Sequence, residues 1–192
     1  MIITLAKKYI KSDDILTRIE NNIEKFEQFK NLVYTWNRKI NLTSYEEEDF
    51  YFHAIIENLI IFDEISLPEN ILDIGTGFGN PSISLAITFP EIKVYCSEIN
   101  KKRLSFLIFV KNELDLNNLI IQNEVHRKKY RLITGKAFMN YQNFFDFLQK
   151  NEIKFSQLLL YFKDQANILS NKILVKKEYF YKNKKYIQMI LY

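Results

Sequence analysis

The chain has 192 residues, 47% of them hydrophobic, which is enough for one substantial core, so we expect one main domain. The single cysteine, Cys96, excludes an internal disulfide framework, and the lack of a membrane-length apolar stretch or signal-peptide organisation favours a cytoplasmic protein without a membrane partner. Residues 1–96 carry 9 Lys/Arg and 15 Asp/Glu (−6) and residues 97–192 carry 18 and 8 (+10), a basic half that can attract a polyanion.

The first third of the sequence predicts helices. Apolar residues recur at three- and four-residue steps from Ser12 to Trp36, which predicts one long amphipathic helix with Ser12 as its N-cap. A second helix is expected from after Ser44 to about Asp63, because its acidic first turn suits a positive helix N-terminus. We expect residues 1–66 to form a helical extension packed on a core of residues 67–192.

Three of the four glycines fall within five residues, Gly75, Gly77 and Gly79, directly after a short apolar strand that ends at Asp73. This crowding indicates a backbone that turns tightly and lies against a ligand. The spacing differs from the Gly-x-Gly-x-x-Gly of dinucleotide binders and lacks the Lys-Ser/Thr of a phosphate loop. It suits a cofactor without a pyrophosphate, most commonly S-adenosylmethionine, although a tight strand-to-helix turn without a ligand is the alternative.

Strands and helices alternate after this loop, which predicts a largely parallel sheet covered by helices on both faces. The expected elements are helix 81–89, strand 93–97, helix 101–114, strands 119–122 and 130–134, helix 139–150 and strand 157–162. Strands 173–181 and 186–191, joined by a turn at 182–185, should form an antiparallel hairpin at the edge of the sheet. Only seven residues separate Gln122 from Tyr130, fewer than a parallel crossover usually needs, so either its helix is a vestigial turn or these boundaries are wrong.

Ligands of such sheets sit over the carboxyl ends of the strands, which should bring the glycine loop beside the end of the next strand. Glu98 follows that strand and can accept two hydrogen bonds from ribose hydroxyls; the alternative is a solvated charge that opens the next helix. Asp73 is expected to orient the loop or to contact the ammonium of the cofactor's methionine, or else to cap backbone amides.

Five motifs between residues 12 and 165 resemble, in order and spacing, those of the RsmG family, also called GidB, which methylates small-subunit ribosomal RNA. They are Trp-Asn-x-x-x-Asn-Leu-Thr at 36–43, the glycine loop at 72–81, Lys-Arg-x-x-Phe-Leu at 102–107, Lys-Ala-Phe at 136–138 and Leu-x-x-Lys at 160–163, with His53 also at a family position. The resemblance implies a class I methyltransferase (Rossmann-like) fold, a mainly parallel seven-stranded α/β sheet with a C-terminal antiparallel hairpin. It also implies transfer of the methyl group of S-adenosylmethionine to N7 of a guanine in 16S ribosomal RNA.

The resemblance implies cofactor contacts at the strand ends, with Glu98 at the ribose and the backbone of Val125 and His126 at the adenine. The positions assigned to the cofactor are Asp73, Gly75, Thr76, Gly77, Gly79, Asn80, Glu98, Val125, His126 and Lys136. No proton-abstracting residue is expected, because N7 has a free lone pair and the sulfonium is already activated, and no metal site is expected.

The candidate RNA contacts are Asn37, Arg38, Asn41, Lys163, Lys182 and Lys184. Asn37 and Asn41 either touch RNA or tie the helical extension to the sheet. The C-terminal lysines, Lys172 among them, interleave with tyrosines, which fits phosphate contact and base stacking but equally fits an edge hairpin protected by lysines. The expected partner is 16S ribosomal RNA or a small-subunit precursor, bound by a monomer.

Several positions depart from the family pattern. Asn80 replaces Phe or Leu, Ser82 replaces Gly, Lys136 replaces Arg, Asp164 replaces Gly, and the segment after Val125 is shorter. Lysine keeps the charge of arginine but loses its bidentate fork. Three functions therefore stand open: a guanine-N7 methyltransferase of ribosomal RNA, an RNA-binding relative that has lost methyl transfer, and a methyltransferase with a different substrate.

Overall fold

The computed structural model describes residues 1–136, 140–164 and 173–192, and within them seven strands form one mixed sheet in the order β3-β2-β1-β4-β5-β7-β6. The strands are β1 Asn70–Ile74, β2 Lys93–Ser97, β3 Leu119–Gln122, β4 Lys129–Thr134, β5 Lys154–Lys163, β6 Ile173–Tyr181 and β7 Lys184–Leu191. Strands β1 to β5 pair in parallel, whereas β7 pairs antiparallel with both β5 and β6. The predicted mainly parallel sheet with a C-terminal antiparallel hairpin is confirmed. The hairpin turn has two residues rather than four, Lys182 and Asn183, both at positive φ.

Most of the helices lie before β1, and three others follow the strands of the parallel part of the sheet. They are α1 Ile2–Ala6, α2 Asp13–Asn21, α3 Ile23–Asn37, α4 Glu47–Tyr51, α5 Glu57–Leu59, α6 Ser82–Thr88, α7 Lys101–Glu113 and α8 Tyr141–Lys150, with a π-helical turn Phe52–Ile56 before α5 and a 3-10 turn Ile60–Asp63 after it. The predicted start of α8 at Met139 lies outside the described residues, as do Ala137, Phe138 and Lys172.

The single long helix predicted from Ser12 to Trp36 is wrong in one respect, because it is divided into α2 and α3. Asn22 leaves the helical region, with φ −118° and ψ 17°, and its side-chain amide donates to the carbonyl of Arg18 at 2.9 Å. An asparagine side chain competes in this way with the helical backbone. Ser12 is the N-cap of α2 as predicted, since its hydroxyl accepts from the Ile15 N–H at 3.3 Å.

The apolar residues of the molecule form two clusters, one on each face of the sheet. Ile71 belongs to one and its neighbour Leu72 to the other, as the alternation of side chains along a strand requires. The larger cluster includes residues of α1, α2 and α3 together with α6 and α7, so the N-terminal helices share a core with the sheet. Phe78 of the glycine loop joins this core and stacks on Phe29 of α3 with ring centroids 6.2 Å apart.

The connection from β3 to β4, residues 123–128, contains no helix. It must pass β2 and β1, about 14 Å at 4.8 Å a strand, and descend about 20 Å along the sheet. The seven steps from Gln122 to Lys129 reach about 25 Å even when extended, which leaves no residues for a crossover helix. The segment bends at residues 123–124 and 127–128, where Lys128 N donates to His126 O at 3.0 Å. The short spacing therefore reflects a missing crossover helix rather than misplaced strand boundaries.

Across the residues that the structure describes, no helix is long and apolar enough to cross a membrane.

Candidate active site

The glycine loop joins β1 to α6 through three residues in the left-handed region of φ. Gly75, Gly77 and Gly79 have φ values of 69°, 63° and 94°, where a side chain is strained. The Gly75 and Thr76 N–H groups donate to the Ser97 carbonyl at 3.0 and 3.1 Å, which fixes the loop to the end of β2. The crowding of glycines is thus a backbone requirement.

A cavity of about 650 Å³ opens over the carboxyl ends of β1, β2 and β3. Its size is in the range of small-molecule and cofactor sites. Four parts of the chain line it: the end of β1, the segment after β2, the segment after β3, and α8. The lining residues are Ile74, Gly75, Ser97, Glu98, Ile99, Asn100, Arg103, Asn123, Glu124, Val125, Phe147 and Asn151.

Glu98 is the buried carboxylate of this cavity, with 5% of its surface exposed. Its Oε2 accepts from the Gly77 N–H at 3.1 Å and its Oε1 accepts from the Asn100 N–H at 2.8 Å. Arg103 Nη1 lies 3.8 Å from Oε2. The structure therefore places Glu98 at the junction of the glycine loop and α7, which does not fit a solvated charge at the start of a helix.

Asp73 lies beneath the loop at the end of β1 and is fully buried. The Ser82 hydroxyl donates to its Oδ2 at 2.6 Å, whereas its Oδ1 has no partner among the described residues. Burial raises the pKa of Asp73 to about 7, against the opposing effect of the Ser82 and Thr76 hydroxyls. Thr134, its register partner in β4, also has a buried hydroxyl without a described partner. Buried polar atoms without a partner are rare in folded proteins, so these two mark the strand ends beneath the loop as unusual.

Lys136, which follows β4, occupies a different part of the same sheet edge. Its ammonium lies 2.6 Å from Glu57 Oε2 and donates to the His53 carbonyl at 2.6 Å and to Asn58 Oδ1 at 3.0 Å. The side chains of Lys136 and Glu57 are 9% and 4% exposed. Burial lowers the pKa of Lys136 and Glu57 opposes that change; burial alone would raise the pKa of Glu57, but Lys136 and His53 hold it below its ordinary value.

Glu57 connects this pair to the C-terminal hairpin. The Tyr179 hydroxyl donates to its Oε1 at 3.1 Å, the Gln188 amide donates to its carbonyl, and His53 Nδ1 lies 3.3 Å from its Oε2. We call the cluster of His53, Glu57, Asn58, Asn80 and Lys136 the Lys136 network. It joins the N-terminal helices, the glycine loop and the end of β4 in one buried set of hydrogen bonds.

Asn80 belongs to this network through its side chain. Its Oδ1 accepts from Asn58 Nδ2 at 2.7 Å, and its Nδ2 donates to the His53 carbonyl at 3.2 Å. The departures from the family pattern at Asn80 and Lys136 therefore meet in one network, with Asn80 Oδ1 3.4 Å from the lysine ammonium. The third, Ser82, pairs with Asp73, so each of these polar replacements has a buried partner.

The residues that the sequence assigns to the cofactor lie partly in the cavity, partly in the Lys136 network and partly in the glycine loop. Gly75, Glu98 and Val125 line the cavity; Lys136 and the side chain of Asn80 do not. His126 lies in a neighbouring cavity with Leu104 and Ile108. The remaining members, Asp73, Thr76, Gly77 and Gly79, support the loop from beneath or shape its backbone.

The sequence assigned Gly75, Glu98 and Val125 of this cavity to the cofactor; among the nine lining residues that it missed are Asn123, Glu124, Phe147 and Asn151. A signal existed for Glu124. The strand before it has no anchoring motif, so the alignment of residues 125 and 126 with the family can shift by one residue, and that shift places Glu124 instead of His126 at the adenine. None existed for Phe147 and Asn151, since nothing in the pattern of α8 marks the end that approaches the cavity.

The predicted RNA contacts also divide. Asn37 Oδ1 accepts from the Leu42 and Thr43 N–H groups at 2.7 and 3.1 Å, so Asn37 stabilises the turn after α3. Lys182 lies 2.7 Å from both Glu48 and Asp49, whose hydrogen bonds raise the pKa of the lysine. The other members of the set, Arg38, Asn41, Lys163 and Lys184, are exposed.

The chain matches the family model GidB, described as rRNA small subunit methyltransferase G, over residues 22–188. Proteins named ribosomal RNA small subunit methyltransferase G are similar to it: that of Brachyspira hyodysenteriae is 36% identical over 147 residues, 74% of this chain and 72% of the relative. The Mycoplasma mobile protein is 34% identical over 140 residues, 66% of this chain and 62% of the relative. The Lactococcus lactis protein is 31% identical over 165 residues, 77% of this chain and 69% of the relative.

Solved structures share the fold at low identity. Mycoplasma capricolum TrmK, in complex with S-adenosylhomocysteine, has a TM-score of 0.54 and 15% identity, covering 72% of this chain and 68% of that one. Thermus thermophilus TrmN has a TM-score of 0.54 and 15% identity over 70% of this chain and 47% of its own. The predicted methyltransferase fold is thereby confirmed.

Proposed function

Because the chain belongs to the GidB family, rRNA small subunit methyltransferase G, we propose that it transfers the methyl group of S-adenosylmethionine to N7 of a guanine in 16S ribosomal RNA. The structural observation that carries the proposal is the buried Glu98 carboxylate, held by the Gly77 and Asn100 N–H groups inside a cavity at the carboxyl ends of the strands. A ligand at this place is what the fold favours.

The residues present fit the cofactor. Glu98 supplies an acceptor for ribose hydroxyls, and Val125 and Phe147 supply apolar surface for a planar ring. The unpaired Asp73 Oδ1 suits a cationic group, since a nearby positive charge would favour the ionised carboxylate. When bound, S-adenosylmethionine supplies a methyl group already activated by its sulfonium.

The protein's own work is then to bind and orient. Guanine N7 has a lone pair, so no side chain has to remove a proton before attack, and alignment of the two reactants can supply most of the rate enhancement. The Lys136 network keeps its charges paired inside the protein and forms a fixed wall beside the loop. We propose that the helical extension, residues 1–66, braces the core of residues 67–192 through this network and through Phe78.

The exposed cations Lys163 and Lys184 stand at the carboxyl edge of the sheet, where β5 ends and β7 begins. Arg38 follows α3, and Asn41 lies in the turn that Asn37 stabilises. We assign RNA phosphate contacts to these four and not to the paired Lys182. The substrate is 16S ribosomal RNA or a small-subunit precursor, methylated in the cytoplasm by a monomer.

Calorimetry followed by methyl mapping tests the proposal. S-adenosylhomocysteine should bind the wild-type protein, and incubation with S-adenosylmethionine and unmethylated 16S ribosomal RNA or small subunits should modify one guanine at N7. Gly77→Val should lose most of the affinity, because a β-branched residue is strained at φ 63°, whereas Gly77→Asn, which tolerates that conformation, should retain more of it.

Each outcome separates one alternative. No cofactor binding at millimolar concentration contradicts the enzyme and leaves an RNA-binding relative. Binding of both cofactor and RNA without methyl transfer indicates a relative that has lost activity. Methylation of another molecule, with the guanines unchanged, indicates a different substrate.

A further inference from the structure

We propose that a basic groove at the amino edge of the sheet, opposite the candidate active site, is a second binding surface for the phosphate backbone of RNA; this inference rests on the proposed function. The groove, which we call the amino-edge groove, has a volume of about 700 Å³. It is lined by Arg127, Lys128, Lys129, Glu152 and Lys154. Four cations thus face one carboxylate.

The parallel sheet itself brings two of these lysines together. Lys129 begins β4 and Lys154 begins β5, and they are direct partners in the register of the two strands. Neighbouring strands lie about 4.8 Å apart, so the two charged side chains leave the sheet side by side. Like charges on adjacent strands destabilise the pair.

Neither of these lysines has a compensating carboxylate. Among the residues that the structure describes, no Asp or Glu lies within 4.0 Å of the ammonium of Lys129 or Lys154, whereas Lys136, Lys177 and Lys182 each have at least one. Glu152 is within reach of Arg127 only, at 3.1 Å. The repulsion in the groove is therefore left for an external anion to offset.

The other two cations are positioned by the helix-free connection. Lys128 Nζ lies 3.3 Å from the ring centroid of Tyr95 and 5.3 Å from that of Tyr130, a cation–π arrangement that orients the ammonium. Arg127, just before it, is 71% exposed in its side chain. Tyr95 and Tyr130 thus position the Lys128 ammonium before any ligand arrives, which lowers the entropy cost of binding.

The chemistry of the groove suits a polyanion with regularly spaced charges. Lysines contact phosphate as point charges and carry no base specificity, so such a surface positions an RNA without reading its sequence. The six residues of β4 separate the groove from the active-site edge by about 20 Å. A phosphate bound there belongs to a part of the RNA away from the target guanosine, so the groove favours a folded RNA that passes around the protein.

The test compares Lys129→Gln/Lys154→Gln with Lys7→Gln/Lys8→Gln, a control pair of adjacent exposed lysines with the same change in charge. Binding to protein-free 16S ribosomal RNA is measured over a series of salt concentrations, with cofactor affinity measured by S-adenosylhomocysteine calorimetry. Loss of two phosphate contacts should weaken RNA binding about 10- to 30-fold at 0.15 M salt and reduce the salt slope by about 1.4 to 1.8. The control should bind RNA like wild type. Cofactor affinity and the melting temperature of the groove variant should not fall, because its substitutions only remove repulsion.

RNA affinity and salt slope equal to those of the control overturn the groove while leaving the proposed function intact. A lowered melting temperature with unchanged RNA binding overturns it too, by giving the lysines a structural role. A wild-type chain that binds cofactor but neither binds nor methylates 16S ribosomal RNA overturns the proposed function, and the groove with it.

Discussion

The carboxyl edge of the sheet contains two regions that differ in what occupies the space over the strand ends. Over β1 to β3 the chain leaves a cavity, with a buried carboxylate at its wall and an unpaired Asp73 oxygen beneath the loop. Over β4 and the hairpin it fills the space with its own charges, the Lys136 network. The difference comes from the N-terminal helices, which supply Glu57 and Asn58 to one region and nothing to the other. The two regions thus differ in whether another part of the chain fills the space over the strand ends.

The largest expected effect lies in the filled region. Lys136→Met should lower the free energy of unfolding by about 3 to 5 kcal/mol, because it leaves Glu57 as an uncompensated buried charge. The double variant Glu57→Gln/Lys136→Met should recover most of that loss, since it removes both charges. Urea unfolding measures both. If the single and double variants are equally destabilised, Lys136 stabilises the protein by packing and not by pairing with the charge of Glu57. The filled region would then not differ from the cavity region in the way described above.

The second effect lies beneath the loop and depends on pH. Burial raises the pKa of Asp73 to about 7 from 3.8, so between those values the native protein keeps a proton that the unfolded chain has lost. Stability from this group therefore falls as the pH rises from about 4 to 7. Asp73→Asn removes the ionisation, so its unfolding free energy relative to wild type should rise by as much as about 4 kcal/mol across that window.

Urea unfolding at several pH values between 4 and 8 measures this difference. The contributions of the other carboxylates to the pH dependence cancel when the unfolding free energy of wild type is subtracted from that of the variant. If the difference in unfolding free energy between Asp73→Asn and wild type does not change with pH, the Asp73 carboxylate is compensated by a partner within the protein, as the charges of the Lys136 network are. Repeating the series with S-adenosylhomocysteine should reduce the pH dependence of this difference, because the ammonium of the bound ligand favours the ionised Asp73 carboxylate.

The smallest effect is expected at the cavity wall. Glu98→Ala should weaken S-adenosylhomocysteine binding by about 1.5 to 3 kcal/mol, the range for a hydrogen bond to a charged group. Glu98→Gln keeps an acceptor oxygen and should lose less, which separates hydroxyl binding from charge. Calorimetry gives both values. Full affinity in Glu98→Ala would mean that Glu98 only accepts hydrogen bonds from the Gly77 and Asn100 N–H groups. Its role would then be structural, like that of the residues of the Lys136 network.

Local patterns predicted most of the fold. The strands 93–97, 119–122 and 173–181 have the predicted limits, and the glycine loop lies where its spacing places it. The break at Asn22 was missed because the apolar spacing continues across it while one side chain redirects the backbone. The missing crossover helix was visible only as an awkward spacing, since its consequence depends on strand order.

The site was less predictable than the fold because its contacts are distant in the chain. Gly75 and Glu98 belong to one strand–loop–helix–strand pattern, and the sequence predicts both from it. Lys136 and Glu57 are brought together by a helix and a strand end 79 positions apart, and neither residue marks the other in the sequence. The family resemblance implies a cofactor contact at Asn80, whereas its amide turns toward Asn58.

The helix-free connection between β3 and β4 also carries residues of two distant surfaces. Val125 lies at the wall of the cavity and Lys129 in the amino-edge groove, and only three residues separate them. A crossover helix would separate the two surfaces by a dozen or more residues. One six-residue segment therefore supplies both a wall of the candidate site and part of the basic groove.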